Sequence, residues 1–382
     1  PSLALSQLGD PTKRECDFTI DRIMSKPVDY ASIAADSTKK FTDDTFPTDD
    51  ALFWPDQGET WDDLSENLTW QRISDVFMEH SLFGDEGVRP DDILQGSIGN
   101  CGLLSAISAV AEVPGRIEKI FQMDELNEAG IYALNFRVFD MPVTVVVDDL
   151  IPVEKSGNDY KTIFSRIPKD SSMWVPIMEK AFAKYYGNYA HLGGSNTMFN
   201  ADVLLQGPYF KFGFGDKEVD DLWDVLSELD SKNDVMQIGF HNNESEVGLV
   251  GLHAYSVLGV KQLSTGERLV KIRNPWGRFE RYRGDWSDWN GGSSLWTDEA
   301  KQEVGYVEAS DGTFYMSVED LHHYGTDLII NKDMTGKPRA SFLMLDDKTN
   351  KRCSWISSYQ DCRSHALYLT SSVDQTVYLS YY

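Results

Sequence analysis

Four residues have the types and spacing to do chemistry together: Gln95, Cys101, His253 and Asn274. Cys101 lies in the run Gln95-Gly96-Ser97-Ile98-Gly99-Asn100-Cys101-Gly102-Leu103-Leu104. A glycine-bearing turn followed by a helical pattern presents a thiol at a helix N-terminus. Unpaired backbone N–H groups and the helix dipole favour thiolate there. Gln95 could donate its amide N–H to an oxyanion developing beside the sulfur.

His253 precedes the alternating segment Ala254-Tyr255-Ser256-Val257-Leu258, and Asn274 follows the strand pattern Leu269 to Arg273. The turn-forming stretch 261–267 lies midway between them. If the two strands form a hairpin, His253 and Asn274 meet at its open end. The Asn oxygen would accept the His Nδ1–H, leaving Nε2 free to take a thiol proton. Trp276, two residues on, could shield that bond from water. Taken singly each residue has a bland reading, since a cysteine starting a helix is more often a small buried apolar group. The joint arrangement points to a nucleophilic cysteine with a histidine base and an orienting asparagine.

Those residues need elements to hold them. Leu103, Leu104, Ile107, Val110 and Ala111 recur at helical spacing, and Pro114-Gly115 ends that helix. Residues 132–138 and 143–147 read as strands, and Trp174 to Tyr186 as a helix with Gly187 just past its end. After Gly207-Pro208 comes a short helix, Val219 to Leu229. Strands then follow at 235–240, 254–260, 269–273 and 313–317. Residues 1–41 read as an arm or linker, 42–207 as a mainly helical unit with the nucleophile, and 208–333 as a β-rich unit with His and Asn. Residues 334–382 open an all-β unit with strands at 340–345 and 367–382.

The 382 residues exceed one ordinary core, so two or three domains are expected. A net charge of −26 argues against nucleic acid and anionic membrane as main partners. Cys16, Cys101, Cys353 and Cys362 form no CxxC, so neither a disulfide framework nor a zinc site is indicated. No apolar run approaches the roughly 18 residues of a membrane span, and no signal peptide is recognisable. The expectation is an intracellular, cytoplasmic, soluble protein or fragment.

The run around Cys101 resembles the nucleophile motif of the calpain family. His253-Ala-Tyr-Ser-Val resembles its histidine motif and Arg273-Asn274-Pro-Trp-Gly its asparagine motif. Thr42 to Pro47, Glu179 to Lys184 and Tyr315-Met316-Ser317 are also similar to that family, collinearly over roughly 42–333. The resemblance implies an α+β, papain-like cysteine protease core in two subdomains, followed by the start of a β-sandwich. It implies an intracellular thiol endopeptidase acting on protein substrates. Cys101 is then the nucleophile, His253 the base and Asn274 its orienter, with Gln95 and the Cys101 N–H at the oxyanion and Trp276 in support. It further implies regulatory Ca²⁺ on oxygen ligands. Asp92 falls at a first-subdomain ligand position, and Glu280, Asp288 and Asp311 at second-subdomain positions, whereas Ser172 and Thr313 stand where acids are usual. Three departures touch the site. Gly102 replaces a Trp, which loosens the turn; Asn100 replaces an Asp but still caps a helix; Leu252 replaces a Gly. The alternative class is an inactive, calpain-like binding module.

Overall fold

The computed structural model describes residues 28–48, 68–77, 79–138, 141–157, 159–195, 197–205, 207–215, 217–241, 247–278, 282–288 and 294–334. The expected strands at 340–345 and 367–382, the arm up to residue 27, Glu280 and the cysteines other than Cys101 lie outside the described residues.

Eight α-helices are described: α1 Tyr30–Ala34, α2 Ile73–Val76, α3 Cys101–Ala111, α4 Trp174–Tyr186, α5 Thr197–Leu205, α6 Val219–Ser231, α7 Asp298–Val304 and α8 Val318–Tyr324. The strands before α4 are β1 Leu68–Arg72, β2 Ile131–Val138, β3 Met141–Asp148, β4 Leu150–Ser156 and β5 Asp159–Thr162. After α5 come β6 Tyr209–Gly213, β7 Val235–Phe240, β8 Ala254–Gln262, β9 Arg268–Arg273, β10 Thr313–Ser317 and β11 Gly325–Asn331. All strand pairings between them are antiparallel. The sheets have the orders β1-β4-β5, β2-β3 and β10-β9-β8-β7-β11-β6. The segment expected to be mainly helical thus also holds five strands.

α3 and α4 form because apolar residues fall on every side, as suits helices enclosed by other elements. From Gly102 to Ala111 every residue of α3 is buried, and α4 is buried from Trp174 to Lys184. α4 stops at Gly187, whose φ of 102° is one that a side chain would disfavour. Leu103, Ile107, Trp174 and Phe182 share one apolar cluster. A second lies between the six-stranded sheet and helices α6 and α8, with Leu222, Leu226, Ile238, Ile272 and Leu321.

Two lysines of α4 are buried only because each meets a carboxylate and a carbonyl. Lys184 donates to Asp43 Oδ2 at 2.7 Å and to Val146 O at 2.6 Å. Lys180 donates to Asp148 and to Leu150 O, and Asp148 Oδ2 accepts the Asp43 N–H at 2.7 Å. The acidic segment around Asp43 is thereby fastened to α4.

Candidate active site

Cys101 is the first residue of α3, with Asn100 at the N-cap. The expected side-chain cap is not made. The Asn100 amide instead donates to Glu179 Oε1 at 2.7 Å. Glu179 projects from α4 into the interior, where its other oxygen accepts the Ser165 N–H at 2.9 Å and the Ser165 hydroxyl at 2.8 Å. Burial pushes its carboxyl above the usual range. A buried carboxylate needs donors more than a helix end needs a cap, and that need claims the amide.

Gly102 lies close against a neighbouring segment. A Cβ here would stand 2.6 Å from the Ser195 carbonyl oxygen and 3.0 Å from Thr197 Cγ2. The main chain of another segment occupies the space a side chain would need, so glycine fits by close approach. One turn further, Ser105 ties α3 to the large sheet. Gln237 on β7 donates to its hydroxyl at 2.7 Å, and Ser256 on β8 donates to its carbonyl at 2.9 Å.

His253 and Asn274 are brought together by the β8–β9 hairpin, as expected. The pairing is diagonal. At the open end Ser256 faces Arg273, so Asn274 continues opposite Tyr255, two residues from His253 and on the same face. A register shift between Val257 and Gly259 interrupts the ladder, with Leu258 as the extra residue. Reaching across the diagonal takes the far ring nitrogen. Nε2, not the expected Nδ1, lies 2.9 Å from Asn274 Oδ1. Nδ1 is therefore the nitrogen left for a thiol proton. The same Asn oxygen accepts the Trp276 N–H at 3.0 Å. The Trp276 and Tyr255 rings each stand 4.9 Å from the imidazole, with Tyr255 edge-on. His253 and Asn274 are 8% and 7% exposed, dry enough for the bond to matter. Burial holds the imidazole below its ordinary pKa of 6.5, and the Asn274 bond opposes this in part. Among the described residues no hydrogen bond joins Cys101 to His253.

Gln95 lies between the two halves. Its N–H donates to Pro275 O at 2.9 Å, and its side-chain amide to Ile98 O at 2.8 Å. An amide carries two N–H donors, so one remains for an oxyanion. Sequence reasoning gave Arg273 no role. It is fully buried and donates to Ile93 O at 2.7 Å, and burial brings its pKa down to about 10. A charged residue ending an apolar strand beside Asn274 was the available signal. Arg273 and Gln95 together clamp residues 93–95 against the Asn-bearing loop.

Asp92 accepts the Trp174 indole N–H at 3.0 Å and the Arg89 N–H at 2.9 Å through Oδ2. Its Oδ1 is buried without a hydrogen bond, 3.8 Å from an Arg89 nitrogen, and burial raises the carboxyl to about 6. Asp170 raises it further, and its own Oδ2 is buried without a hydrogen-bond partner. Asp288 repeats this pattern. Its Oδ1 is buried without a partner, burial raises it to about 6, and Asp311 and Glu308 add to the rise. Asp311 itself accepts the Thr313 N–H at 2.8 Å.

The calpain family cysteine protease model matches residues 41–332. This chain belongs to the calpain family. A calpain-type cysteine protease of rice, ADL1, is 33% identical over 309 residues, covering 76% of this chain and 14% of that protein. Mouse calpain-12 is 31% identical over 307 residues, covering 76% of this chain and 41% of that one. The bovine calpain-1 catalytic subunit is 32% identical over 269 residues, covering 66% and 36%. The chain thus spans less than half the length of these relatives. The mixed helix and sheet architecture agrees with a calpain protease domain.

For a calpain, the carboxylates invite a test for calcium. Among the described residues no three His, Cys, Asp or Glu side chains converge on one point. Each locality instead offers a pair, Asp92 with Asp170 and Asp288 with Asp311, with two buried carboxylate oxygens short of a partner in the first (Asp92 Oδ1 and Asp170 Oδ2) and one in the second (Asp288 Oδ1). Oxygen donors of this kind suit a hard cation, with backbone carbonyls and water to complete the shell. Asp170 lies two residues before Ser172 and accepts its N–H at 3.1 Å through Oδ1. No helix among the described residues is long and apolar enough to cross a membrane.

Proposed function

We propose that this chain is a calcium-regulated cysteine endopeptidase unit acting on extended segments of other intracellular proteins. The observation that carries the reading is the dry hydrogen bond from His253 Nε2 to Asn274 Oδ1, shielded by Trp276, on strands hydrogen-bonded to the helix that begins at Cys101. With Nε2–H held by Asn274, the imidazole presents unprotonated Nδ1 and takes the thiol proton. The thiolate then attacks the peptide carbonyl carbon, and carbon–sulfur bond formation places negative charge on the carbonyl oxygen. The Cys101 N–H and the spare Gln95 N–H stabilise that oxygen. Collapse expels the amine, which takes the proton from Nδ1 and leaves an acyl-enzyme. Water, deprotonated by the same nitrogen, releases the acid and restores the thiol.

Residues 42–207 and 208–333 act as two subdomains, with the nucleophile on one and His and Asn on the other. Catalysis needs the thiol within hydrogen-bond reach of the imidazole, the arrangement that bound Ca²⁺ would favour. Ca²⁺ would be held by Asp92 and Asp170 on one unit and by Asp288 and Asp311 on the other, with Glu280 as a further ligand. Bound there, it supplies positive charge that neutralises these carboxylates and favours the closed arrangement.

Gly102 and Leu252, which stand where the family usually carries Trp and Gly, favour a second reading, a non-catalytic calpain module that binds a partner. Labelling of Cys101 by an epoxide directed at papain-type thiols, followed by intact mass with and without millimolar Ca²⁺, separates the two. Rapid labelling that needs Ca²⁺ and vanishes in His253→Ala supports the regulated protease. Labelling indifferent to Ca²⁺ keeps the protease without the switch, and no labelling of the folded protein leaves the binding module.

A further inference from the structure

Leu252 is 90% exposed, the most exposed of the large apolar side chains described, and it stands next in the chain to His253. Its φ is +53°. Residues other than glycine adopt that conformation at a cost, because Cβ crowds the carbonyl. Among the described residues three other non-glycine residues have positive φ: the buried Trp286, Ser171 and Asn233. Among the described residues Leu252 alone combines a left-handed backbone with an exposed apolar side chain.

Its neighbours hold it in place. Gly251 bridges Phe240 on β7, Val250 N–H donates to the Tyr255 hydroxyl at 3.0 Å, and His253 is buried under Trp276. The isobutyl group is thus fixed in water beside the base, on a backbone that glycine or asparagine would take more easily. The exposure, though not the backbone cost, is offset when something apolar covers the side chain.

Resting on the protease reading above, we propose that Leu252 is a specificity-determining contact for an apolar side chain on the leaving half of the substrate. The chemistry selects that half. The imidazole gives its proton to the departing amine, so His253 and the residue joined to it border the new N-terminus rather than the acyl group. Burying one leucine-sized contact would favour a leucine over a glycine immediately after the scissile bond by roughly tenfold or more.

The test uses paired, internally quenched peptides with Leu or Gly directly after the scissile bond, and reads the ratio of their kcat/KM values. The enzymes are the natural chain, Leu252→Gly, Leu252→Asn and Leu252→Met, each checked by thermal melting. The natural chain should show a ratio near ten or above. Leu252→Gly and Leu252→Asn should bring it close to one without a loss of melting temperature, and Leu252→Met should restore most of it. A ratio near one in the natural chain, or one unchanged in Leu252→Gly and Leu252→Asn, overturns the proposal. So does a uniform acceleration of both peptides in Leu252→Gly, which would make the side chain an obstruction. If no peptide is cleaved and Cys101 resists the epoxide, the protease reading fails and this inference falls with it. Cleavage with no Leu252-dependent ratio defeats the inference alone.

Discussion

The side-chain amide of Asn100 lies 2.7 Å from the buried carboxylate of Glu179, joining the residue before the nucleophile to the interior of α4. Replacing Asn100 by Asp would set two carboxylates against each other without water. We expect Asn100→Asp to cost about 2 kcal/mol at neutral pH, recovering in acid as one of the pair takes a proton. Denaturant unfolding at pH 5 and pH 7.5 checks this, and equal stability loss at both would contradict it.

The depressed pKa of His253 sets a pH dependence with a definite sign. Burial keeps the imidazole neutral below its ordinary value of 6.5, so the acid limb of kcat/KM, or of epoxide labelling, should lie below pH 6.5. The unfolded chain binds the proton first as pH falls. The stability tied to the neutral ring is therefore present above pH 6.5 and is lost as pH drops towards the folded value. Asn274→Asp would place a carboxylate against Nε2 and should move the limb upward. Asn274→Ala should slow labelling at every pH, since ring orientation is lost.

Gly102 should resist even the smallest side chain. Gly102→Ala forces a methyl to within 2.6 Å of the Ser195 carbonyl, so either that segment or the start of α3 must move. Overpacking of this kind typically costs about 1–3 kcal/mol. Because the strained atoms adjoin Cys101, labelling should slow more than tenfold. A Gly102→Ala protein with native melting and native labelling would contradict this packing.

Calcium should stabilise the chain in a pH-dependent way. Asp92 and Asp288 have carboxyls raised to about 6 by burial. A raised acid keeps its proton in the folded state, so stability falls as pH rises from about 4 through 6. A cation that neutralises these groups should return that stability above pH 6 and add little at pH 5. At a hundredfold excess over its Kd it would contribute about 2.7 kcal/mol, a rise of several degrees in melting temperature. Asp92→Asn with Asp288→Asn should abolish the rise and be more stable than the natural chain without calcium. An equal rise at pH 5 and 7.5 would argue against these ligands.

What could be read from the sequence follows from how local each cause was. α4 was legible to the residue because a helical pattern met Gly187, and both belong to one short segment. The hairpin was legible because turn-forming residues lay between two alternating strands. α5 was missed because Asn200 to Leu205 are buried one after another, which removes the amphipathic period. β11 was missed because its pairing with β6 and β7 joins residues distant in the chain. The partner of Asn100 was hidden for the same reason, since Glu179 lies far along the chain.

The extra residue at Leu258 has a consequence that no motif reveals. On the turn side of it Lys271 pairs with Gly259; beyond it Ile272 pairs with Val257. That single step makes Asn274 face Tyr255 rather than Ser256, and so decides whether His253 falls on an even or an odd count from its partner. On an even count the two side chains share a face, and on an odd count they point away from each other. A chain in which Leu258 instead took a regular place in the ladder, opposite Ile272, would keep Gln95, Cys101, His253 and Asn274 in order and would still read as a protease. Its imidazole would be turned to the wrong side of the sheet.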